Sequence, residues 1–279
     1  MNIREEPLRF ACEGEMLFGI LARPEQPAGL GVVIVVGGPQ TRIGSHRQFV
    51  LLSRVLAGAG FPTLRFDVRG MGDSSGEKRS FEQITPDIAA AIDTLRTACP
   101  TVERVVLWGL CDAASAALLY VEATRDARIA GLCLLNPWVR SAATLAKTQV
   151  KHYYGQRLLQ REFWTKLFTG RLNPFAALGE LWRKLGQACA RPEQPLGFQE
   201  RMARGWRHFP GRILLILSGN DYTAKEFLEY AAGDASWRGL LEQNGVTRCD
   251  VPDADHTFSS QKWRNSVENA CIDWLKRNE

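Results

Sequence analysis

The stretch Gly31–Gly38, GVVIVVGG, is apolar and β-branched with no polar alternation, and a strand of that kind has to be covered on both faces. A strand with one wet face would place a polar residue at every second position. The chain therefore needs helices on each side of a sheet. Apolar residues at helical spacing between Ser45 and Gly60, closed by Gly58 and Gly60, predict a helix, and a strand follows at Pro62–Phe66. A helix from about Phe81 to Ala98, a strand Val105–Trp108, a helix from Cys111 to about Ala123 and a strand Ile129–Leu135 keep the alternation. It resumes at RILLILSG (212–219), passes through helical segments to a short strand Thr247–Val251, and closes with a helix from about Ser259 to Lys276. The order predicts an α/β fold: a mostly parallel sheet, right-handed crossovers and helices on both faces. Leu8–Ala11 and Met16–Ala22, joined by the Glu13-Gly14 turn, predict an antiparallel edge hairpin.

A chain of 279 residues, 45% hydrophobic, can bury one large core. We expect a single domain over 1–279, with a helical cap inserted over 137–209, where the strand rhythm stops and the residues turn basic and aromatic. From Arg140 to Arg212 there are fourteen Lys or Arg against four Glu, so the rest of the chain is net negative. Such a segment can concentrate an anionic ligand, although basic residues on solvated helix faces are also common. No uncharged apolar run of about 18 residues occurs, and the first ten residues carry two acids, which predicts a cytoplasmic protein without membrane insertion. The seven cysteines are scattered, without a CxxC or Cys/His cluster. Neither a disulfide framework nor a metal site is expected. No cofactor is implied, and no nucleic-acid recognition motif accompanies the basic stretch.

One junction carries chemistry. VVLWGLCDAASAALLY reads as a strand, a tight turn and an alanine-rich helix, with Cys111 in the turn and small residues, Gly109 and Ala113, two positions to either side. A nucleophile elbow needs that spacing, because larger neighbours would make strand and helix collide. At a helix N-terminus, partial positive charge favours a thiolate. The alternative is a buried cysteine at a strand-to-helix junction. Ser115 lies one turn into the helix and is the poorer nucleophile.

The junction resembles the α/β-hydrolase superfamily, with cysteine at the serine position as in dienelactone hydrolases. GGPQTRIGSHRQFVLLSRVLAGAGFPTLRFDVRGMGDS is similar to that family's oxyanion strand, first helix and DxRGxGxS loop, at Asp67, Arg69, Gly70, Gly72 and Ser74. More narrowly, GGPQTRIGSHRQF, GLCDAASAALLY and LLNPWVR resemble the type 1 group of exosortase A system-associated hydrolases, encoded beside exopolysaccharide and protein-sorting genes. On this fold the histidine comes last. His256, in VPDADHTFSS, follows the last strand, whereas His46, His152 and His208 are badly placed. The resemblance puts the acid at Asp221, just past Ile213–Leu217. Asp221 is otherwise an ordinary N-cap, and Asp253 and Asp255 are alternatives close to His256 in sequence. The Asp67–Ser74 loop reads as structural, and His46 and Arg47 could lie near the pocket mouth or cap a helix.

An oxyanion hole takes one amide from the residue after the nucleophile, Asp112, and another from the turn after GVVIVV. Relatives read His-Gly-x there and use the x amide, but here x is Pro39, which has no N–H. Gly38 or Gln40 must supply the second donor. The Asp112 carboxylate is comfortable at a helix start. If it faced the pocket instead, it would select against anionic groups near the reacting carbonyl.

A Cys111–His256–Asp221 site implies acyl transfer through an acyl-cysteine, with small-molecule esters, thioesters and lactones as candidate substrates, one part of them anionic if the basic segment serves binding. Three readings stand at this level: a hydrolase, an acyltransferase passing the acyl group to a sugar or other alcohol, and a non-catalytic binding protein on the same fold.

Overall fold

The computed structural model describes residues 2–140 and 196–279; most of the predicted cap, 141–195, lies outside them. Within the described residues the elements run β1 (Ile3–Cys12), β2 (Glu15–Pro24), β3 (Leu30–Val35), α1 (Gln48–Gly58), β4 (Thr63–Phe66), α2 (Thr85–Ala98), β5 (Arg104–Leu110), α3 (Asp112–Thr124) and β6 (Ile129–Leu135). After the undescribed stretch come α4 (Phe198–His208), β7 (Arg212–Ser218), α5 (Tyr222–Gly233), β8 (Val246–Val251) and α6 (Gln261–Lys276).

The eight strands form one sheet ordered β1-β2-β4-β3-β5-β6-β7-β8. β1 pairs with β2, and β2 with β4, in antiparallel fashion; every other pairing is parallel. The predicted hairpin is thus the edge, and the unalternated strands lie inside. β3 is buried along its whole length, and its side chains divide between two cores. Val33 and Val35 join Leu107 of β5 and Leu215 of β7 in the layer closed by α2, α3, α4 and α5. Val32 and Ile34 join Trp108 and Ile216 in the opposite layer, closed by α1 and α6. This two-sided burial is what the apolar runs require.

Two boundaries differ from expectation. The helix predicted from Ser45 begins at Gln48, because His46 (φ 53°) and Arg47 (φ 62°) are left-handed. Cys111 is the N-cap of α3 rather than its first residue. Of the stretch read as cap, α4 packs into the first core: Met202, Ala203 and Trp206 are buried there, and Trp206 donates its indole N–H to Leu240 O at 3.0 Å. Among the described residues no helix is long and apolar enough to cross a membrane.

Candidate active site

β5 carries the chain to the sheet's carboxyl edge, where it must reverse into α3 within one residue. Gly109 makes the reversal possible. A Cβ there would sit 2.6 Å from Ala113 C and O, which are main-chain atoms with no freedom to retreat. Cys111 takes the strain, with φ 62° and ψ −124°, a conformation that costs a non-glycine residue about 1–3 kcal/mol. The surroundings hold it there. Cys111 N–H donates to Leu135 O at 2.8 Å, and Cys111 O accepts from Trp138 N–H at 3.2 Å and Ala114 N–H at 3.1 Å. The thiol is half-buried.

His256 lies between β8 and α6, and its Nδ1 is 2.8 Å from Asp221 Oδ2. Asp221 also N-caps α5, accepting from Thr223 N–H at 3.1 Å and Ala224 N–H at 3.2 Å. Capping and contact with His256 are therefore simultaneous in one carboxylate. Burial pushes the Asp221 pKa up, but His256 and the two amides outweigh it and leave the carboxyl below its ordinary value. Hydrogen bonds to Asp221 first and Cys111 second push the His256 pKa up to about 10 against the cost of burial. The chain thus brings Cys111, His256 and Asp221 together from three loops. Asp255 turns elsewhere and braces its own loop by accepting from Thr257 N–H at 3.1 Å and Ser259 N–H at 3.0 Å.

A buried bracket behind His256 escaped the sequence reading. Asn136, left-handed at φ 45°, donates to His256 O at 3.2 Å and Ser218 Oγ at 2.9 Å, and accepts from Ser218 N–H at 2.9 Å. Ser218 Oγ donates to Asp255 O at 2.9 Å. The one local signal was an asparagine before Pro137 at a strand end, a residue type that tolerates the left-handed region. Ser115 is fully buried and donates to Trp138 O at 2.7 Å.

The Asp112 carboxylate occupies the turn after β3, where an oxyanion donor is expected. Gly38 N–H donates to Asp112 Oδ2 at 2.8 Å, and the amides of Ala113 and of Asp112 itself also interact with that carboxylate. Burial raises the Asp112 pKa against the pull of these amides and of His256. A Cβ at Gly37 would overlap Asp112 Oδ1 and sit 2.7 Å from Ala113 N, so this turn has room only for glycine. Gln40 N–H closes a turn on Gly37 O at 3.3 Å. Of the two donors considered, Gly38 is therefore the one beside the elbow, and the protein's own carboxylate is on it. Gly37, Gly38 and Asp112 line a cavity of about 210 Å³ together with Lys78, Arg79 and an apolar wall that includes Phe81.

His46 and Arg47 are exposed before α1. Asp67 and Arg69, in the loop read as structural, take separate partners. Buried Asp67 accepts from Arg42 N–H at 2.6 Å, and Arg69 meets buried Asp87 at 2.8 Å. Ser74 Oγ donates to Asp67 O at 2.7 Å and accepts from Phe18 N–H at 3.0 Å, tying the loop to β2. Among the described residues no group of three or more His, Cys, Asp or Glu could hold a metal ion.

The sequence profile of the alpha/beta hydrolase family matches residues 32–262. No curated protein matches the chain. Among solved structures, an esterase from Pyrococcus furiosus superposes with a TM-score of 0.64 at 16% identity, covering 99% of this chain and 93% of that one. Est1E from Butyrivibrio proteoclasticus, with ferulic acid bound, gives 0.63 at 15% identity over 97% and 98%. A dienelactone hydrolase from Anabaena variabilis gives 0.63 at 15% over 100% and 99%. At these identities the likeness is one of fold.

Proposed function

Because the chain belongs to the alpha/beta hydrolase family, we propose that it hydrolyses an ester or thioester of a small molecule, with Cys111 as nucleophile, His256 as base and Asp221 as the carboxylate that orients it. The observation that carries this reading is His256, which touches Asp221 at 2.8 Å and has Cys111 as its second partner. Cys111 passes its proton to His256 as Sγ attacks the carbonyl carbon, and the C–S bond forms as the carbonyl π pair moves onto oxygen. That pair returns to re-form C=O as the bond to the leaving oxygen or sulfur breaks, and His256 gives its proton to the departing group. Water then gives a proton to His256 as it adds to the acyl-cysteine, and collapse of this second intermediate expels the Cys111 sulfur, which His256 reprotonates. Asp221 keeps the imidazole in the required tautomer and stabilises its charged form.

The Gly38 and Asp112 amides are the donors for the oxyanion. Both face the Asp112 carboxylate, so that side chain has to swing aside when the carbonyl oxygen arrives. The resemblance of GGPQTRIGSHRQF, GLCDAASAALLY and LLNPWVR to type 1 exosortase A system-associated hydrolases supports a substrate from exopolysaccharide or protein-sorting chemistry.

Wild type, Cys111→Ala and Cys111→Ser compared on activated esters and thioesters test the reading. Cys111→Ala loses about 10³-fold or more in turnover, and mass spectrometry of the wild type finds the acyl group on the Cys111 peptide. Wild-type turnover by Cys111→Ala ends the mechanism.

A further inference from the structure

The cavity of about 210 Å³ beside the oxyanion turn falls below the roughly 300 Å³ at which pockets enclose drug-sized ligands. It therefore has room for an arm of a substrate rather than a whole one. Its lining is unequal in charge: Lys78 and Arg79 against Asp112. Neither cation has an ion-pair partner among the described residues, whereas Arg42, Arg65, Arg69 and Arg128 are all paired. The carboxylate is already engaged by main-chain amides.

The segment that presents the two cations is fixed at both ends. On one side the main chain of Glu77 and Lys78 lies directly on Gly70, where an added Cβ would sit 2.6 Å from Lys78 Cα. On the other side Ser80 N–H donates to Gln83 Oε1 at 3.3 Å and Gln83 N–H donates to Ser80 O at 2.9 Å. A rigid main chain lowers the entropy lost when long cationic side chains close on a ligand.

We propose that this cavity is a subsite for a carboxylate-terminated arm of the substrate, with Lys78 and Arg79 as its anchors and the Val36, Val68, Phe81 and Ile84 side chains covering the short methylene stem. The inference rests on the acyl-transfer reading above and narrows it to half-esters or half-thioesters of short dicarboxylic acids. Asp112 sets the spacing. Even displaced from the two amides, its carboxylate is tethered to the residue after Cys111 and disfavours a second negative charge close to the reacting carbonyl, so the acid belongs at the far end of the arm.

The test compares the 4-nitrophenyl half-esters of succinate, glutarate and adipate with their methyl-capped counterparts, in wild type and in K78Q/R79Q. A second pair, 4-acetoxybenzoate and its methyl ester, places the acid on the leaving group instead. In wild type the free acid is preferred in kcat/KM on the order of tenfold, as expected for two partly solvated ion pairs. K78Q/R79Q brings that ratio close to one. Raising ionic strength from about 0.01 M to about 1 M, which shortens the screening length from about 30 Å to about 3 Å, does the same in wild type. Titration calorimetry with the non-hydrolysable monoanilide of glutarate reads the subsite without turnover, and binding weakens about tenfold in K78Q/R79Q. A wild-type ratio near one, a ratio untouched by K78Q/R79Q, or monoanilide binding that ignores both cations overturns the inference. Cys111-dependent turnover with no acid preference sinks the subsite and leaves the hydrolase. Charge-dependent binding without turnover of any ester does the reverse.

Discussion

Asp112→Asn isolates the most unusual contact in the site. In the wild type, the Gly38 N–H that the proposed mechanism assigns to the oxyanion donates to Asp112 Oδ2 at 2.8 Å, and Asp112's own amide also interacts with that carboxylate. A hydrogen bond to a charged acceptor contributes about 1.5–3 kcal/mol, and one to a neutral acceptor about 0.5–1.5 kcal/mol. The oxyanion competes with this resident acceptor, so removing its charge relieves about 1 kcal/mol per amide, or about 2 kcal/mol for two. Solvent reaches this contact, which halves the figure to about 1 kcal/mol, roughly a fivefold gain in kcat/KM for a neutral ester. The substitution keeps size and one oxygen acceptor, so folding is not at issue. His256 supplies a second readout. Its attraction to the Asp112 charge is lost in Asp112→Asn, so the imidazole pKa moves down from about 10 and the alkaline limb of the pH–rate profile moves with it. The assay is kcat/KM for a methyl-capped ester from pH 5 to about 10.5, with Asp112→Ala as a second variant that removes the acceptor altogether. If both variants fall to a tenth of wild type or lower, the carboxylate takes part in the reaction and does not merely occupy the amides, and the reasoning fails.

Other outcomes follow from the same geometry. Asp221→Asn removes the largest influence on His256, so the imidazole pKa falls from about 10 toward the ordinary value of about 6.5; an NMR titration that leaves it near 10 refutes the role of Asp221. Because the folded-state pKa is raised, the stability that this pair contributes is fully present below about pH 6.5 and lost as pH rises through about 10. Urea melts across that window should show Asp221→Asn approaching wild type at the alkaline end. Gly109→Ala drives a Cβ to 2.6 Å from Ala113 main chain, an overpacking cost of about 1–3 kcal/mol or about 2–10 °C in Tm; an unchanged calorimetric Tm would mean that the elbow is looser than described. Ser218→Ala leaves Asn136 Nδ2 without one of its acceptors and Asp255 O without its donor, at about 1–3 kcal/mol. It lowers kcat about tenfold by freeing the His256 loop, and full activity at 25 °C would show that the bracket is only structural.

Most of the architecture could be read along the chain because the information is local. GVVIVV cannot have a wet face, so two helical layers follow, and β3 does divide its side chains between two cores. Gly109 and Ala113 around Cys111 announce a reversal that only small residues permit. The order Cys111, Asp221, His256 needed no coordinates either, but it came from the resemblance to the α/β-hydrolase superfamily, which left Asp253 and Asp255 as alternatives to Asp221.

Other features were legible only once distant segments had met. Asp67 and Arg69 take Arg42 and Asp87 as partners, because the chain leaves β4 at Phe66 and turns at Arg69 and Gly70, so each side chain meets whichever charge a distant segment brings to it. The bracket at His256 joins Asn136 to residues 82 and 120 positions away, beyond the reach of any periodicity. That the Gly38 amide meets a carboxylate 74 residues away, while the Gln40 amide turns back on Gly37 O, depended on how closely α3 approaches the turn after β3. Composition and spacing determined the layers and the tight strand-to-helix turn at Cys111. Tertiary packing alone decided which amide meets which oxygen, since hydrogen bonds form over about 3 Å whereas sequence patterns constrain only the face on which a side chain lies.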